Sequence, residues 1–325
     1  MRRLLMTALV ALAAIGTGQA AEVTDDTGRQ VRIPDDPQRV VALHEPVLAV
    51  PLIELGVPVV GIYGRGDDGS SLTAVDFLHE MLGGSKDADP IPGIGPVGSI
   101  NLEKLRALRP DLIIGTDYDA GKAKALSQAA PVYLQNSSAA TAHGFSVQEE
   151  LARVLHREDR FRELRTAYQA RLDGLRGRFP DRLPKAPGER TYLIVMLTDQ
   201  ANVVAGMSGA VQALEDLGYR RAEIAGEGST RQSRSMLILP IGAESLAGLN
   251  PDLLLVMTSF ATPARDEAAA RAALDRLSPG WDRFMAPARE GRVVFLDSAR
   301  VTSPSVASAM HTLDAVEGWL AGGPR

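Results

Sequence analysis

The chain has 325 residues, of which 45% are hydrophobic and 23% charged, and it contains no cysteine. This composition supports a sizeable folded core and excludes a disulfide scaffold, thiol catalysis and zinc sites built on cysteine. The formal net charge of −5 argues against nucleic acid as a partner.

The first twenty residues have the three parts of a secretory signal peptide. Arg2 and Arg3 precede an apolar run over residues 4–15, and small residues then lead to Ala20. The apolar run is shorter than the roughly 20 residues that a bilayer span requires. We therefore expect cleavage after Ala20 and export to the periplasm as a soluble chain, because no cysteine is present to carry a lipid anchor.

Seven short apolar segments, rich in valine, isoleucine and leucine, are predicted to be strands. They are continuous rather than alternating, and helical patterns separate them, as in buried parallel sheets. The segments cover residues 40–43, 57–63, 111–116, 132–134, 192–197, 253–257 and 293–296. The predicted fold class is α/β with parallel sheets.

A charged helical stretch divides these strands into two groups. A break near His156 leaves a helix from about Glu158 to Phe179, about 33 Å long at 1.5 Å per residue. A helix of that length between two strand–helix blocks predicts a rigid connection between two lobes. The predicted units are a signal peptide (1–20), an amino-terminal α/β lobe (21–142), connecting helices (143–180) and a carboxy-terminal α/β lobe (181–325).

An internal repeat supports this division. Residues 101–114 and 242–255 share Glu, Leu, Leu, Pro, Asp and Leu at the same offsets. Each copy is predicted to be a short helix that is stopped by Pro110 or Pro251 and followed by a buried strand. Glu103 and Glu244 therefore occupy equivalent places in the two lobes.

No catalytic or metal-binding motif fits its sequence context. Residues 93–98 match the G-x-G-x-x-G pattern of dinucleotide-binding loops, but no strand precedes them, and Pro96 lacks an amide hydrogen that a phosphate could use. The five histidines include no H-x-x-x-H pair of the kind found in helical zinc sites. We therefore expect no catalytic residues, no metal and no cofactor.

Side chains suited to ligand contact follow the predicted strands, where α/β proteins place their binding loops. The ligand-binding candidates are Tyr63, Arg65, Tyr118, Arg231, Arg234 and Arg300. A guanidinium donates in a planar fork that suits carboxylate or catecholate oxygens, and arginine and tyrosine both stack on flat groups. These residues predict a site for an anionic ligand.

Over nearly its whole mature length the sequence resembles the periplasmic substrate-binding proteins of iron-siderophore, haem and cobalamin ABC importers. The resemblance depends on several loose motifs that occur together and in order. They are Asp-Thr-Gly-Arg at 26–29, the segments 33–43 and 54–61, the two copies of the repeat and the long central helix.

The resemblance implies two α/β lobes joined by one long helix, with the ligand in the cleft between them. It also implies that Glu103 and Glu244 display one carboxylate per lobe to arginines of a two-fold symmetric permease dimer. A monomeric binding protein without enzymatic activity is expected.

The class of ligand is less sharply indicated. Residues 308–314 resemble the corresponding segment of ferric hydroxamate-binding proteins. Those proteins contact the ligand with a tyrosine that aligns within one residue of Tyr118. Residues 241–246 are equally similar to the corresponding segment of ferric citrate-binding proteins. A ferric siderophore is therefore the leading ligand, and the sequence does not say which one. Haem, with Tyr63, Tyr118 or His44 as axial ligand, is the alternative within the family. An exported α/β enzyme is the alternative outside it.

Overall fold

The computed structural model describes residues 20–83, 90–137, 142–223, 238–242, 245–246 and 248–322. Within these ranges, two β-sheets covered by helices form two lobes, and a two-stranded antiparallel sheet lies at the amino-terminal end. The α/β fold class predicted from the sequence is confirmed. No helix in these ranges is long and apolar enough to cross a membrane.

The strands are short, as the predicted apolar segments are. They are β1 (Ala20–Thr24), β2 (Gln30–Pro34), β3 (Val40–Ala42), β4 (Val59–Ile62), β5 (Leu112–Thr116), β6 (Val132–Gln135), β7 (Arg190–Leu197), β8 (Ala201–Val204), β9 (Tyr219–Arg221), β10 (Ile238–Pro240), β11 (Leu253–Thr258) and β12 (Val293–Phe295). All seven predicted strands are present, with ends shifted by up to two residues.

The helices vary from one turn to about six. They are α1 (Val50–Glu54), α2 (Phe77–Leu82), α3 (Leu102–Ala107), α4 (Ala123–Leu126), α5 (Ser146–Val154), α6 (Glu158–Arg178), α7 (Gly209–Asp216), α8 (Glu267–Leu277), α9 (Trp281–Phe284), α10 (Ala286–Arg289), α11 (Ser298–Val301) and α12 (Val306–Gly322). A π-helical turn (Glu45–Ala49) precedes α1, and a 3-10 helix (Asp117–Lys122) precedes α4.

The amino-terminal lobe has a wholly parallel sheet in the order β4-β3-β5-β6. Every residue of β3, β5 and β6 is buried, because helices or loops cover both faces of this sheet. Since the strands are parallel, their carboxyl ends lie at one edge. The loops that follow β3, β4 and β5 therefore start side by side.

The carboxy-terminal lobe departs from the prediction of a parallel sheet. Its order is β10-β8-β7-β11-β12, with β9 also beside β7, and β8 runs antiparallel to both β7 and β10. The reason is the turn at residues 198–200, which is too short for a crossover and folds β8 back on β7 as a hairpin. The strands β7, β11 and β12 are parallel, as predicted.

The long helix α6 contacts both lobes. Its buried side chains are Phe161, Tyr168, Leu172 and Leu175. The Tyr168 hydroxyl donates to Asp216 Oδ2 of α7 at 2.8 Å, and Arg160 Nε donates to the backbone oxygen of Glu54 in the other lobe at 3.1 Å. The predicted break before the helix is at His156, whose φ of 55° lies in the left-handed region.

A second connection between the lobes runs along α2. The Phe77 ring of α2 meets the Phe260 ring of the carboxy-terminal lobe edge-on, with centroids 5.6 Å apart. The Met81 carbonyl is 2.9 Å from His311 Nε2 of α12. We call the Phe77–Phe260 and Met81–His311 contacts, together with the ion pairs of Glu80 with Arg265 and Arg300, the α2 seam. It joins the two lobes at a second place besides α6.

Candidate ligand-binding cleft

Three side chains form a polar cluster at the carboxyl ends of β3 and β5. His44 Nε2 lies 2.9 Å from Asp119 Oδ2, and Lys122 Nζ lies 3.1 Å from Asp119 Oδ1. Asp119 is buried, whereas Lys122 and His44 are in part accessible. We call His44, Asp119 and Lys122 the strand-end cluster. It presents an ammonium and an imidazole to solvent above a buried carboxylate.

The charge of Asp119 is stabilised by its neighbours. Burial alone would raise the pKa of this carboxyl, but the hydrogen bond and charge of His44, the Thr116 backbone N–H and Lys122 together lower it to about 2. Asp119 is therefore ionised throughout the neutral range. It holds His44 and Lys122 in fixed positions at the rim of the sheet.

Tyr63, a predicted ligand contact, lies beneath this cluster rather than on the surface. Its hydroxyl accepts a hydrogen bond from the Gly98 backbone nitrogen, and the residue is buried. The Tyr63 ring meets the His44 ring edge-on at 6.4 Å, and Lys122 Nζ lies 5.6 Å from its centroid. Tyr63 thus supports the two basic side chains from below.

Tyr118, another predicted contact, is 49% exposed at the end of β5. Partial burial and the negative charge of Asp117 raise the pKa of its phenol, so the hydroxyl stays protonated and can donate. Asp117 is itself fixed, because its Oδ1 accepts from the backbone nitrogen and the hydroxyl of Ser137. Tyr118 directly precedes Asp119 of the strand-end cluster in the 3-10 helix after β5.

Arg65, a third predicted contact, is an internal residue that is only 5% exposed. Its guanidinium donates to both Glu45 carboxylate oxygens, at 2.6 and 3.1 Å, to Asp76 and to the Gly69 carbonyl. The backbone of Gly93 packs on it so closely that a Cβ there would lie 1.6 Å from the Arg65 carbonyl oxygen. These bonds occupy the guanidinium, so we do not include Arg65 among the ligand contacts proposed below.

The remaining predicted contacts belong to the carboxy-terminal lobe. Arg231 and Arg234 lie outside the described residues. Arg300, on α11, is half exposed, and its Nε lies 3.5 Å from Glu80 Oε2 of the α2 seam. Glu80 Oε1 also accepts from Arg265 at 3.1 Å. Arg300 therefore lies where the two lobes meet, and half of its side-chain surface is accessible.

The first of the two predicted docking carboxylates is on the surface. Glu103 is exposed in the first turn of α3, where the Asn101 side chain caps the helix by accepting from the Glu103 and Lys104 backbone nitrogens. No ion pair engages Glu103 within the described part of the chain. Its counterpart in the repeat, Glu244, lies outside that part.

Sequence reasoning missed two members of the strand-end cluster, Asp119 and Lys122. Their position in the sequence could have indicated them, because both lie within six residues of the end of β5. The sequence could not show that a histidine 75 positions before Asp119 would share its carboxylate.

Comparison with known proteins agrees with this architecture. The family model for periplasmic binding proteins matches residues 59–299. The ferric-anguibactin-binding protein FatB of Vibrio anguillarum is 25% identical over 298 residues, which are 88% of this chain and 83% of that protein.

Solved structures show the same fold. Staphylococcus aureus SirA, solved with staphyloferrin B, has a TM-score of 0.68 and 19% identity over 93% of this chain and 98% of its own. The catecholate-siderophore-binding protein VctP of Vibrio cholerae has a TM-score of 0.63 and 16% identity over 92% and 99%. The family model is that of periplasmic binding proteins and FatB is named as a binding protein, which decides against the alternative of an exported enzyme. The match over most of its length shows that the chain belongs to the periplasmic binding protein family.

Proposed function

We propose that this protein captures a ferric siderophore between its lobes and delivers it to an ABC importer in the inner membrane. The observation that carries the proposal is the exposed Tyr118 in the same short helix as Asp119 and Lys122, at the edge where the parallel strands of the amino-terminal lobe end. In open α/β sheets this edge is the usual place for a ligand. Arg300 supplies a basic group from the other lobe.

The chemistry of a ferric siderophore fits these side chains. Its iron is already coordinated, so the protein need not supply metal ligands, and donors for the outer anionic oxygens suffice. Lys122, Arg300 and the Tyr118 hydroxyl are such donors, and the Tyr118 ring offers a flat surface for stacking. FatB, SirA and VctP are named for, or were solved with, siderophores of different kinds. The ligand class considered therefore includes catecholates as well as hydroxamates and citrate.

Haem is the second candidate ligand within this family, and the geometry favours it less. His44 Nε2 is engaged with Asp119, and the Tyr63 hydroxyl is buried against Gly98. Of the three side chains considered as axial ligands, Tyr118 has the largest exposed fraction, 49%. An iron–tyrosinate bond there would require deprotonation of a phenol whose pKa is raised above its usual value.

Delivery is proposed to depend on Glu103 and on Glu244 of the repeat. An exposed carboxylate on the first turn of a short, well-capped helix can pair with an arginine of a partner without disturbing the fold. Export through the signal peptide, a soluble monomeric state and docking on a permease dimer belong to the same proposal.

Absorption spectroscopy and calorimetry test the ligand. The purified protein is titrated with a ferric catecholate, a ferric hydroxamate, ferric citrate, ferric-anguibactin and haem. We expect saturable binding of at least one ferric siderophore, with its charge-transfer band retained. A Soret shift on adding haem, with no response to any ferric siderophore, would replace the proposal by its haem alternative.

A further inference from the structure

A groove of about 690 Å³ runs along one edge of the carboxy-terminal sheet. That edge is β12, the last strand in the sheet order, which pairs with β11. In the described part of the chain, no strand pairs with the other side of β12. The groove is lined by β12 and by residues of α8, α9, α10 and α12. None of the proposed siderophore contacts lines it.

The groove extends around the edge of β12 to both faces of the sheet. Phe295 packs in one core cluster, with residues of α8 and α9, whereas Val294 and Leu296 pack in another, with residues of α12. Successive side chains of a strand point to opposite faces. Because residues of both kinds line the groove, it lies beside the backbone of β12, with helices on either side.

The backbone of β12 has unpaired groups on this side. The Leu254 nitrogen of β11 donates to the Arg292 carbonyl at 2.9 Å, which fixes the side of β12 that faces β11. Since alternate residues of a strand bond to opposite sides, the N–H and C=O groups of Val293 and Phe295 point away from β11. Among the residues that the structure describes, nothing forms a hydrogen bond with these four groups, and both residues are partly exposed.

This edge lacks the features that usually protect an edge strand from other chains. The sequence of β12 is Val-Val-Phe, with no charged residue and no proline. On the α12 side the lining residues are small, since Ala315 and Gly318 occupy it, and a Cβ on Gly318 would meet no atom within 4 Å. The space beside the edge therefore stays open.

We propose that the groove binds an extended segment of a partner polypeptide, which adds to the sheet as a further strand beside β12. An extended backbone supplies N–H and C=O groups that match those of Val293 and Phe295. A second copy of this chain fits less well, because paired strands lie about 4.8 Å apart. The helices that flank each edge would meet before two copies of β12 came that close, whereas a peptide meets no such obstacle.

The charge of the groove favours a basic segment. Four acidic and two basic side chains line it. The two basic ones, Arg271 and Arg265, are each paired with an acidic lining residue, at 2.7 and 2.9 Å. Asp266 and Asp282 are exposed, and no ion pair within the described ranges engages them. Lysine or arginine side chains of the partner would complement these two carboxylates.

The test uses the peptide acetyl-Lys-Val-Ala-Val-Lys-amide as the probe and calorimetry on the whole exported protein. Its valines and lysines alternate between the two faces of an extended chain, so one face is apolar and the other basic. We expect saturable binding at one site. The same peptide methylated on its three central amide nitrogens cannot donate to β12 and should bind at least about tenfold more weakly.

Two variants block the groove without removing a native contact. Val293→Pro removes an N–H that has no partner and leaves the bonds to β11 in place, as proline on an edge strand does. Gly318→Leu fills the open space from α12. Each should weaken peptide binding about tenfold or more. Gly174→Leu is the matched control, because Gly174 is an exposed glycine of α6 that also has no atom within 4 Å of a Cβ, and it should leave binding unchanged.

Several outcomes would overturn the inference. They are no binding up to about 10 mM peptide, the weak end of specific affinity, equal binding of the methylated peptide, and equal weakening by Gly174→Leu. Dimerisation that Val293→Pro abolishes would assign the edge to a second copy, and binding that requires removal of residues 323–325 would assign the groove to this chain itself. If Val293→Pro fails to fold, Gly318→Leu decides the question, because leucine is a better helix former than glycine and should not lower the melting temperature.

Discussion

The Glu54 carboxylate, on α1 of the amino-terminal lobe, accepts a hydrogen bond of 2.9 Å from the backbone nitrogen of Ala307, in the first turn of the last helix. Gln148 Oε1 accepts a hydrogen bond of 2.9 Å from the neighbouring Val306 backbone nitrogen, and Gln148 Nε2 donates to the Glu54 carboxylate at 3.0 Å. Two side chains from outside the carboxy-terminal lobe therefore cap α12. The start of the last helix is tied to the rest of the molecule.

This relationship predicts an unusual pH dependence of stability. Burial raises the pKa of Glu54 to about 7, against hydrogen bonds from Gln148, Ser305 and Ala307 that lower it. The folded state therefore binds a proton that the unfolded chain releases near pH 4.5. The stabilisation is complete below that pH and is lost as pH rises through 7. It amounts to at most about 3 kcal/mol, less where water screens the carboxylate.

Urea unfolding at pH 5 and pH 8 measures the effect. Glu54→Gln keeps an acceptor for the Ala307 nitrogen but cannot ionise, so the difference between the two pH values should shrink. Glu290→Gln, at a carboxylate that is about half exposed, is the control and should leave the difference as in the wild type. An unchanged pH profile in Glu54→Gln would contradict the assignment.

Arg65 provides a second prediction, concerning stability rather than binding. Arg65→Ala leaves the buried Glu45 carboxylate without its partner, and breaking a buried ion pair in this way costs about 3–5 kcal/mol. Thermal and urea unfolding should show this loss, whereas Arg39→Ala, at an exposed arginine, should cost far less. If Arg65→Ala has normal stability and weakened siderophore binding, Arg65 contacts the ligand, and its assignment to the protein interior is wrong.

The contrast between Arg65 and the strands shows what the sequence could predict. The strands were found because each is a continuous apolar run, a local property of consecutive residues. The partners of Arg65 could not be found in this way, because Glu45 lies 20 positions before it and Asp76 lies 11 after it. A basic residue in a loop after a strand has the same local pattern whether it faces a ligand or a buried carboxylate.

A third prediction concerns Glu103. Charge reversal by Glu103→Lys should leave siderophore affinity within about twofold, because the residue is exposed on α3. It should reduce uptake severely, because the lysine would oppose the arginines that we propose Glu103 meets on the permease. Uptake of radioactive iron by cells and titration of the purified variant are compared. Asp35→Lys changes another exposed acid of the same lobe and should transport normally. Weakened binding with normal uptake would remove Glu103 from the docking surface.

The fourth prediction is that the lobes close little on binding. Closure would have to bend α6 or open the α2 seam, where Phe77 packs on Phe260 and Glu80 pairs with Arg265. We expect nearly equal radii of gyration by X-ray scattering with and without ligand. A clearly smaller radius of gyration with ligand would show that the α2 seam opens and would contradict this prediction.

The last prediction concerns the proposed siderophore contacts, Tyr118, Lys122 and Arg300. A charge-assisted hydrogen bond in a partly open cleft contributes about 1.5–3 kcal/mol, so alanine at Lys122 or Arg300 should weaken binding about 10- to 150-fold. Tyr118→Ala should also weaken binding, and Tyr118→Phe should recover the part due to stacking.

Lys124→Ala is the matched control for Lys122→Ala. It removes another exposed lysine only two positions away, so it changes the net charge equally and should alter affinity less than about twofold. Lys122→Ala also separates two roles, because the ammonium supports Asp119 as well as facing solvent. A loss of affinity that Lys122→Arg restores, at unchanged thermal stability, assigns the charge to the ligand. Equal affinities for the wild type and the three alanine variants at positions 118, 122 and 300 would show that the siderophore binds elsewhere.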